Sequence, residues 1–397
     1  MNKFTDCCLC PRNCHVDRTQ GKTGYCGQTD QIRAARAALH MWEEPCISGD
    51  AGSGAVFFSG CTLGCVFCQN HSIVAGSVGK TISSERLAEI FLELQDQKAW
   101  NINLVTAGHF APQVVRALEI AKTQGLKLPI VYNTSGYEKV ETLQMFDGLV
   151  DIYLPDFKYL SAELAGKYSH AADYPQVAKL ALQEMVRQVG TAKFEIVSGE
   201  KSGTITDELA VDVAYSDGVE PEVATSPNSI TDELSVDVAY SDGGSNNAIG
   251  RPCVDEKDFF PKSASTSENN NVVKNSTILE DNVCFGENEP DDSVLERMLR
   301  GVVVRHLVLP GHVEESKKVI RYLYETYGNQ VFISIMNQYT PMSGIEVRYP
   351  ELGRKITPQE YDEVVDYAID IGVENGFIQD GETAEESFIP EFDTFGI

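Results

Sequence analysis

Three cysteines in Cys61-Thr-Leu-Gly-Cys65-Val-Phe-Cys68 follow directly on the apolar run Ala55-Val-Phe-Phe58. The run reads as a buried strand, which puts the thiols in the loop leaving its end. A C-x3-C-x2-C loop can turn three thiolates onto one polynuclear centre, and iron–sulfur clusters are held by such thiolates. Four ligands saturate a cubane. Three leave one iron open, much as catalytic zinc sites keep an open position. Gly60 and Gly64 give the backbone the freedom to wrap closely around the sulfurs. Two plainer arrangements use the same residues: a zinc knuckle completed by His71 or a distant cysteine, and buried cysteines that only pack.

Nine of the 11 cysteines fall within the first 68 residues. In a long chain without a visible export signal, such clusters bind metal or do redox work more often than they form disulfides. The start, Met-Asn-Lys-Phe-Thr-Asp-Cys-Cys, has no apolar core of a secretory signal, and no run approaches the roughly 18 apolar residues of a membrane span. A second set, Cys7, Cys10 and Cys14 with Cys26 beyond, offers four thiols for zinc or another iron–sulfur cluster, or for no metal at all. Cys8 reads as the bystander of that set. Cys46 is either a substitute for one of the four or a buried small residue.

The formal charge of −27 disfavours nucleic acid and anionic membranes as partners. That charge is localised: residues 195–294 hold 22 acidic and 5 basic residues, so the argument against nucleic acid is weaker for the rest of the chain. Within this segment Ile205–Gly218 recurs 25 residues later as Ile230–Gly243, with Ala210 matched by Ser235. Two copies are too few for a solenoid. Ser263 to Asn275 is rich in Ser, Thr and Asn, and the whole of 191–294 reads as an acidic, largely disordered insertion.

On either side of it, short apolar runs alternate with amphipathic segments. Strands are expected at 55–58, 102–105, 129–132, 150–154, 302–308 and 331–335. Helices are expected at 84–96, from about 112 to 124 with Gly125 ending it, from Asp173 as a cap to about 189, at 314–327, and from Thr357 with a capping box. Six strands with intervening helices predict a parallel α/β sheet or an incomplete barrel, with a doubly wound open sheet as the alternative. The organisation is a Cys-rich N-terminal element at 1–50, a first α/β part at 51–190, the insertion at 191–294, and a completing part at 295–397.

The cysteine loop, with the aromatic Phe67 before its last thiol, resembles the radical S-adenosylmethionine (SAM) superfamily. Within it the chain is similar to the pyruvate formate-lyase activating enzyme-like branch, whose substrates are mostly unassigned. The stretches carrying this are Phe58–Asn70, Asn101–Thr106, Val131–Gly136, Tyr153–Lys158, Val304–Gly311, Gly376–Gln379 and Glu386–Pro390. The resemblance implies a partial (β/α)6 TIM-like barrel and a [4Fe–4S] cluster on Cys61, Cys65 and Cys68, with SAM on the open iron. Reductive cleavage of SAM would give a 5′-deoxyadenosyl radical for hydrogen abstraction. It further implies a reducing, cytoplasmic setting and an electron donor such as a flavodoxin or ferredoxin.

Related enzymes hold the SAM amino group with a Gly-Gly-Glu-type turn. Here the matching place reads Val105-Thr106-Ala107-Gly108-His109, so Thr106 or backbone carbonyls would substitute. Asn133, Ser135 and Asp156 fall at C-terminal strand ends, where barrel sites assemble. Turn chemistry around Gly136 and a cap at Asp156 are the structural alternatives. His109 and His306 are candidate donors near the substrate or structural hydrogen-bonders. Arg305 would bind an anion or pair with an acidic neighbour. The expected activity is activation of a glycyl-radical partner protein. Radical chemistry on a small molecule or another protein residue, and a non-catalytic metal-binding adaptor, are the rivals.

Overall fold

The structure, a computed structural model, describes residues 2–74, 76, 78–198, 294–379, 390 and 392–397. The internal repeat, Cys253, Cys284 and the stretch 263–275 lie outside the described residues, as do 386–389.

Among the described residues ten strands form the sheet: β1 Ile32–His40, β2 Ser53–Phe58, β3 Lys80–Ile82, β4 Ile102–Val105, β5 Ile130–Thr134, β6 Ile152–Pro155, β7 Lys193–Ser198, β8 Val294–Leu307, β9 Phe332–Met336 and β10 Gly376–Ile378. Their order is β10-β9-β8-β6-β5-β4-β2-β1-β3, with β7 hairpinned onto β8. The six strands expected from the apolar runs are β2, β4, β5, β6, β8 and β9, and they are parallel neighbours in that sequence. No reversal interrupts their order, whereas a doubly wound sheet turns back at a switch point. The sheet is mixed, because β1 and β7 pair antiparallel, and it is not closed into a barrel: β3 and β10 end it.

Hydrophobic periodicity explains the layers. Leu87, Ile90, Phe91 and Leu94 of helix Ser84–Asp96 are buried, as are Val114, Ala117, Leu118 and Ala121 of helix Ala111–Thr123. They share one large cluster with Val56, Phe58, Leu104, Tyr132, Tyr153 and Val304 from alternate strand positions. The intervening positions face the other way. Ala55, Phe57 and Val105 make one smaller cluster there; Val131, Ile152, Leu154 and Val303 make another, with Cys46 and Ile47. Helices therefore cover one face of the parallel strands and leave the other for a cavity.

The local stops behave as their residues dictate. Ser83 caps its helix by accepting from the Arg86 N–H at 3.1 Å. Thr357 and Glu360 form the expected capping box, and Gly125 takes φ +104° just past its helix. Asp173 departs from expectation. It precedes helix Tyr174–Val189 without capping it, because its carboxylate accepts the Tyr137 hydroxyl at 2.9 Å instead. Among the described residues no helix is long and apolar enough to cross a membrane.

Candidate metal and cofactor site

Cys61, Cys65 and Cys68 occupy the loop after β2, and the loop is fixed from both sides. Gly60 (φ +85°) lies where a Cβ would stand 2.5 Å from the Cys26 carbonyl oxygen, so the N-terminal segment packs directly on it. Arg12 reaches across from that segment. Its guanidinium donates to the carbonyls of Thr62 (2.9 Å), Leu63 (3.1 Å) and His170 (2.6 Å), and lies over the Tyr25 ring. The Leu63 N–H donates to Cys61 Sγ at 3.4 Å, and the Ser169 hydroxyl to Cys65 Sγ at 3.0 Å.

The three thiols open onto one cavity of about 240 Å³ on the sheet face without helices. Thr106, Asn133, Ser135 and Asp156 line the same cavity, together with Glu43, Lys158 and Arg305. The parallel register accounts for this, since Val105 pairs with Asn133 and Thr134 with Pro155. Successive strand ends therefore stop at one level, with Thr106, Ser135 and Asp156 in the turns that leave them. Thr106 itself has φ +63°, a conformation a β-branched residue rarely adopts. Such strain concentrates at functional sites.

Arg305 from β8 organises the cavity floor. It donates to Glu43 at 2.8 Å and to Asn133 Oδ1 at 2.6 Å, and its Nε lies 3.3 Å from Asp156 Oδ1. Glu43, whose side chain is only 6 % exposed, also accepts from Asn103 and Asn133. Lys158 donates to Asp156 at 2.7 Å. Burial pushes the Asp156 carboxyl up, but Lys158 and Arg305 outweigh it and hold the group below its ordinary range. Arg305 thus takes the pairing alternative, with Glu43 and Asp156 as its acidic neighbours, while lining the cavity. Asp156 is engaged by cations rather than capping a turn.

The histidines do something else. His109 Nε2 donates to the Ser59 carbonyl at 2.7 Å, and burial brings its pKa down to about 3. His306 Nδ1 donates to the Phe157 carbonyl at 2.8 Å, and burial brings it down to about 4. Both are neutral structural hydrogen-bonders, and neither lines the cavity.

Cys7, Cys10, Cys14 and Cys26 gather in the N-terminal segment. Burial raises the Cys10 and Cys26 thiols, and the neighbouring thiols of the set add to it. Tyr25 N–H donates to Cys14 Sγ at 3.3 Å, while buried Arg18 stands 3.7 Å from Cys7 Sγ. Cys46 packs as a buried small residue beside Ile47.

Sequence reasoning missed Arg12, Glu43 and Lys158. Lys158 was within reach, two residues from Asp156 in a strand-end turn. Arg12 and Glu43 meet their partners only through the fold. It also missed Glu138, buried under the strand ends and accepting from the Thr134 hydroxyl at 2.6 Å. Burial pushes this carboxyl up to about 7, against hydrogen bonds that lower it. Its stabilising share is therefore complete below the unfolded value near 4.5 and is lost as pH rises through about 7. Between pH 4.5 and 8 that loss is on the order of 3 kcal/mol. Glu138→Gln is expected to remove this decline, as measured by urea unfolding across that range.

Residues 47–172 match the family model of a 4Fe-4S single cluster domain. A Methanocaldococcus jannaschii protein, named only as the uncharacterized protein MJ0674, is 30 % identical over 185 residues. The alignment covers 45 % of this chain, and the chain spans about half (53 %) of that relative's length. The family match covers less than half of the chain and supports a 4Fe-4S cluster in this part of it.

Proposed function

We propose that the chain is a radical SAM enzyme of the pyruvate formate-lyase activating enzyme-like branch, with its sheet an open part of a TIM-like barrel. One observation carries this: a single cavity gathers Cys61, Cys65 and Cys68 with Thr106, Asn133, Ser135 and Asp156 at the ends of successive parallel strands.

The donor set fits a [4Fe–4S] cluster. Three thiols share one loop, and burial raises Cys65 to about 11 and Cys68 further still, so neither persists alone as a thiolate there. Iron would supply the missing positive charge. Hydrogen bonds from Leu63 and Ser169 to the sulfurs are of the kind that orient ligands and tune a cluster's potential. A cluster held by Cys61, Cys65 and Cys68 would, when reduced, supply the electron for reductive cleavage of SAM.

The chain's own residues do the positioning. Thr106, Asn133, Ser135 and Asp156 would hold SAM. Arg305 and Lys158 keep Asp156 ionised, and Glu43 keeps Arg305 and Asn133 in place. The walls of Phe57, Phe58, Val105 and Leu307 exclude water from a reactive intermediate. Trp42, 59 % exposed and lining the cavity, gives its mouth an apolar edge suited to a partner's loop. The edge fits a protein substrate; on the same reading that substrate is a glycyl-radical protein, and a cytoplasmic flavodoxin or ferredoxin is the electron donor.

Anaerobic reconstitution followed by dithionite and SAM is expected to release 5′-deoxyadenosine. Its absence from a fully iron-loaded, SAM-binding sample would overturn the proposal.

A further inference from the structure

The N-terminal segment carries a cluster of side chains outside the cavity and outside the four-thiol set. From Cys7 to Val16 the backbone folds back on itself. The Cys7 N–H donates to the Val16 carbonyl at 3.1 Å, the His15 N–H to the Cys7 carbonyl at 3.0 Å, and the Asn13 N–H to the Cys10 carbonyl at 3.1 Å. Asn13 (φ 43°) and His15 (φ 54°) make the reversal in the left-handed region. Cys8 and His15, seven residues apart, are thereby set side by side.

Asp6 completes the group. His15 Nδ1 lies 2.9 Å from Asp6 Oδ1 and 3.5 Å from Cys8 Sγ. Ligand atoms of all three side chains fall within 4.8 Å of one another, and among the described residues this is the group of metal-ligating side chains that converges so closely. Asp6 and His15 are each 63 % exposed, so an ion can enter from solvent.

The distances suit one small ion. Bonds of about 2.05 Å to nitrogen and 2.3 Å to sulfur at a tetrahedral angle put N and S about 3.5 Å apart, and N and O about 3.3 Å. The His15–Cys8 separation already has that value. The His15–Asp6 separation is shorter by the difference between a hydrogen bond and a shared ligand, which a small side-chain rotation makes up. Binding replaces the proton that Nδ1 donates to Asp6 and the proton on Cys8. Lys139, whose charge acts on Cys8, is held at 3.0 Å by Asn13 Oδ1, and thiolate and carboxylate together outweigh it.

We propose that Asp6, Cys8 and His15 form a peripheral site for a single zinc ion, with solvent in the fourth position. One thiolate, one imidazole and one carboxylate suit a borderline divalent ion over magnesium or calcium, which prefer oxygen alone. The site pins the fold-back that carries Cys7, Cys10 and Cys14, and its existence does not depend on radical SAM chemistry.

The test uses the full chain, reconstituted anaerobically with iron, then equilibrated with a slight excess of zinc and desalted. Zinc and iron per chain are counted for wild type, Cys8→Ala and His15→Asn, asparagine being tolerant of the left-handed backbone at residue 15. Each variant is expected to lose about one zinc and no iron, and cobalt substituted for zinc should show a thiolate charge-transfer band in wild type alone. Equal zinc in all three proteins would overturn the site. So would a loss confined to Cys8→Ala, which would assign that thiol to the neighbouring cysteine set, or a zinc loss accompanied by iron loss in both variants.

Discussion

Replacing Cys68 by alanine is expected to strip about four irons per chain and to lower 5′-deoxyadenosine formation by at least about 10³-fold, since two thiols cannot hold a site-differentiated cubane and the cofactor carries the hard step. Cys68 is partly buried on the cavity wall, and burial, then the thiols of Cys61 and Cys65, raise its pKa. Without metal its raised pKa keeps Cys68 a neutral thiol, so alanine removes only a small side chain and the apoprotein should lose little stability. Far-UV circular dichroism and urea unfolding of the metal-free forms should accordingly match wild type within about 1 kcal/mol, as for a small change away from a packed network. Iron retention, with SAM cleavage within tenfold of wild type, would show that the triad is not the cluster site. Iron held separately by Cys7, Cys10, Cys14 and Cys26 would remain in the variant and be counted apart.

Arg305→Met should have the opposite profile, a loss of stability in protein with or without iron. The guanidinium joins Glu43 and Asn133, which also bond each other directly, to Asp156. Truncation leaves the enclosed Glu43 carboxylate without its cation, while Asp156 keeps Lys158. Breaking a buried pair in this way costs about 3–5 kcal/mol. A Glu43→Gln companion change removes one orphaned charge, and a double-mutant cycle should return about 1–3 kcal/mol of coupling. The pH dependence has a definite sign. Asp156 sits below its ordinary range, so its stabilising share is present above the unfolded carboxylate value and is lost as pH falls through the folded one. Wild type and variant should therefore converge on acidification. A deficit independent of pH, or below about 1 kcal/mol, would mean that the network adds little beyond ordinary surface pairs.

The parallel sheet was legible because its strands are buried on both faces and read as short apolar runs: Ala55–Phe58, Ile102–Val105 and Val331–Ile335 needed no partner to be recognised. β1 was not legible. Ile-Arg-Ala-Ala-Arg-Ala-Ala-Leu-His is built from residues that favour helix, and it becomes a strand only through pairing with β2 and β3. β7 was hidden by its place at the start of a strongly acidic stretch, and Val294 by its place at the end. At the site, the cysteine spacing, the strand-end positions and, for Thr106, the family resemblance led to seven residues that do line one cavity. Arg12 and Glu43 were missed because their contacts span 50 to 262 residues of chain, and no local pattern records such distances. His109 and His306 show the converse: each is prominent in sequence, yet each is spent on a single carbonyl.

The β7–β8 hairpin has a consequence for the history of the chain. Ser198 and Val294 face each other as a cross-strand pair, so the 95 residues between them leave and return at one point of the sheet. Doubling such a span adds only about 0.6 kcal/mol of closure entropy, and nothing in the strand register depends on its length. A lineage could lengthen, duplicate or lose this stretch without moving any strand end that bears on the cysteines. The near-identical copies at 205–218 and 230–243 are the kind of tandem duplication that such a permissive junction lets persist.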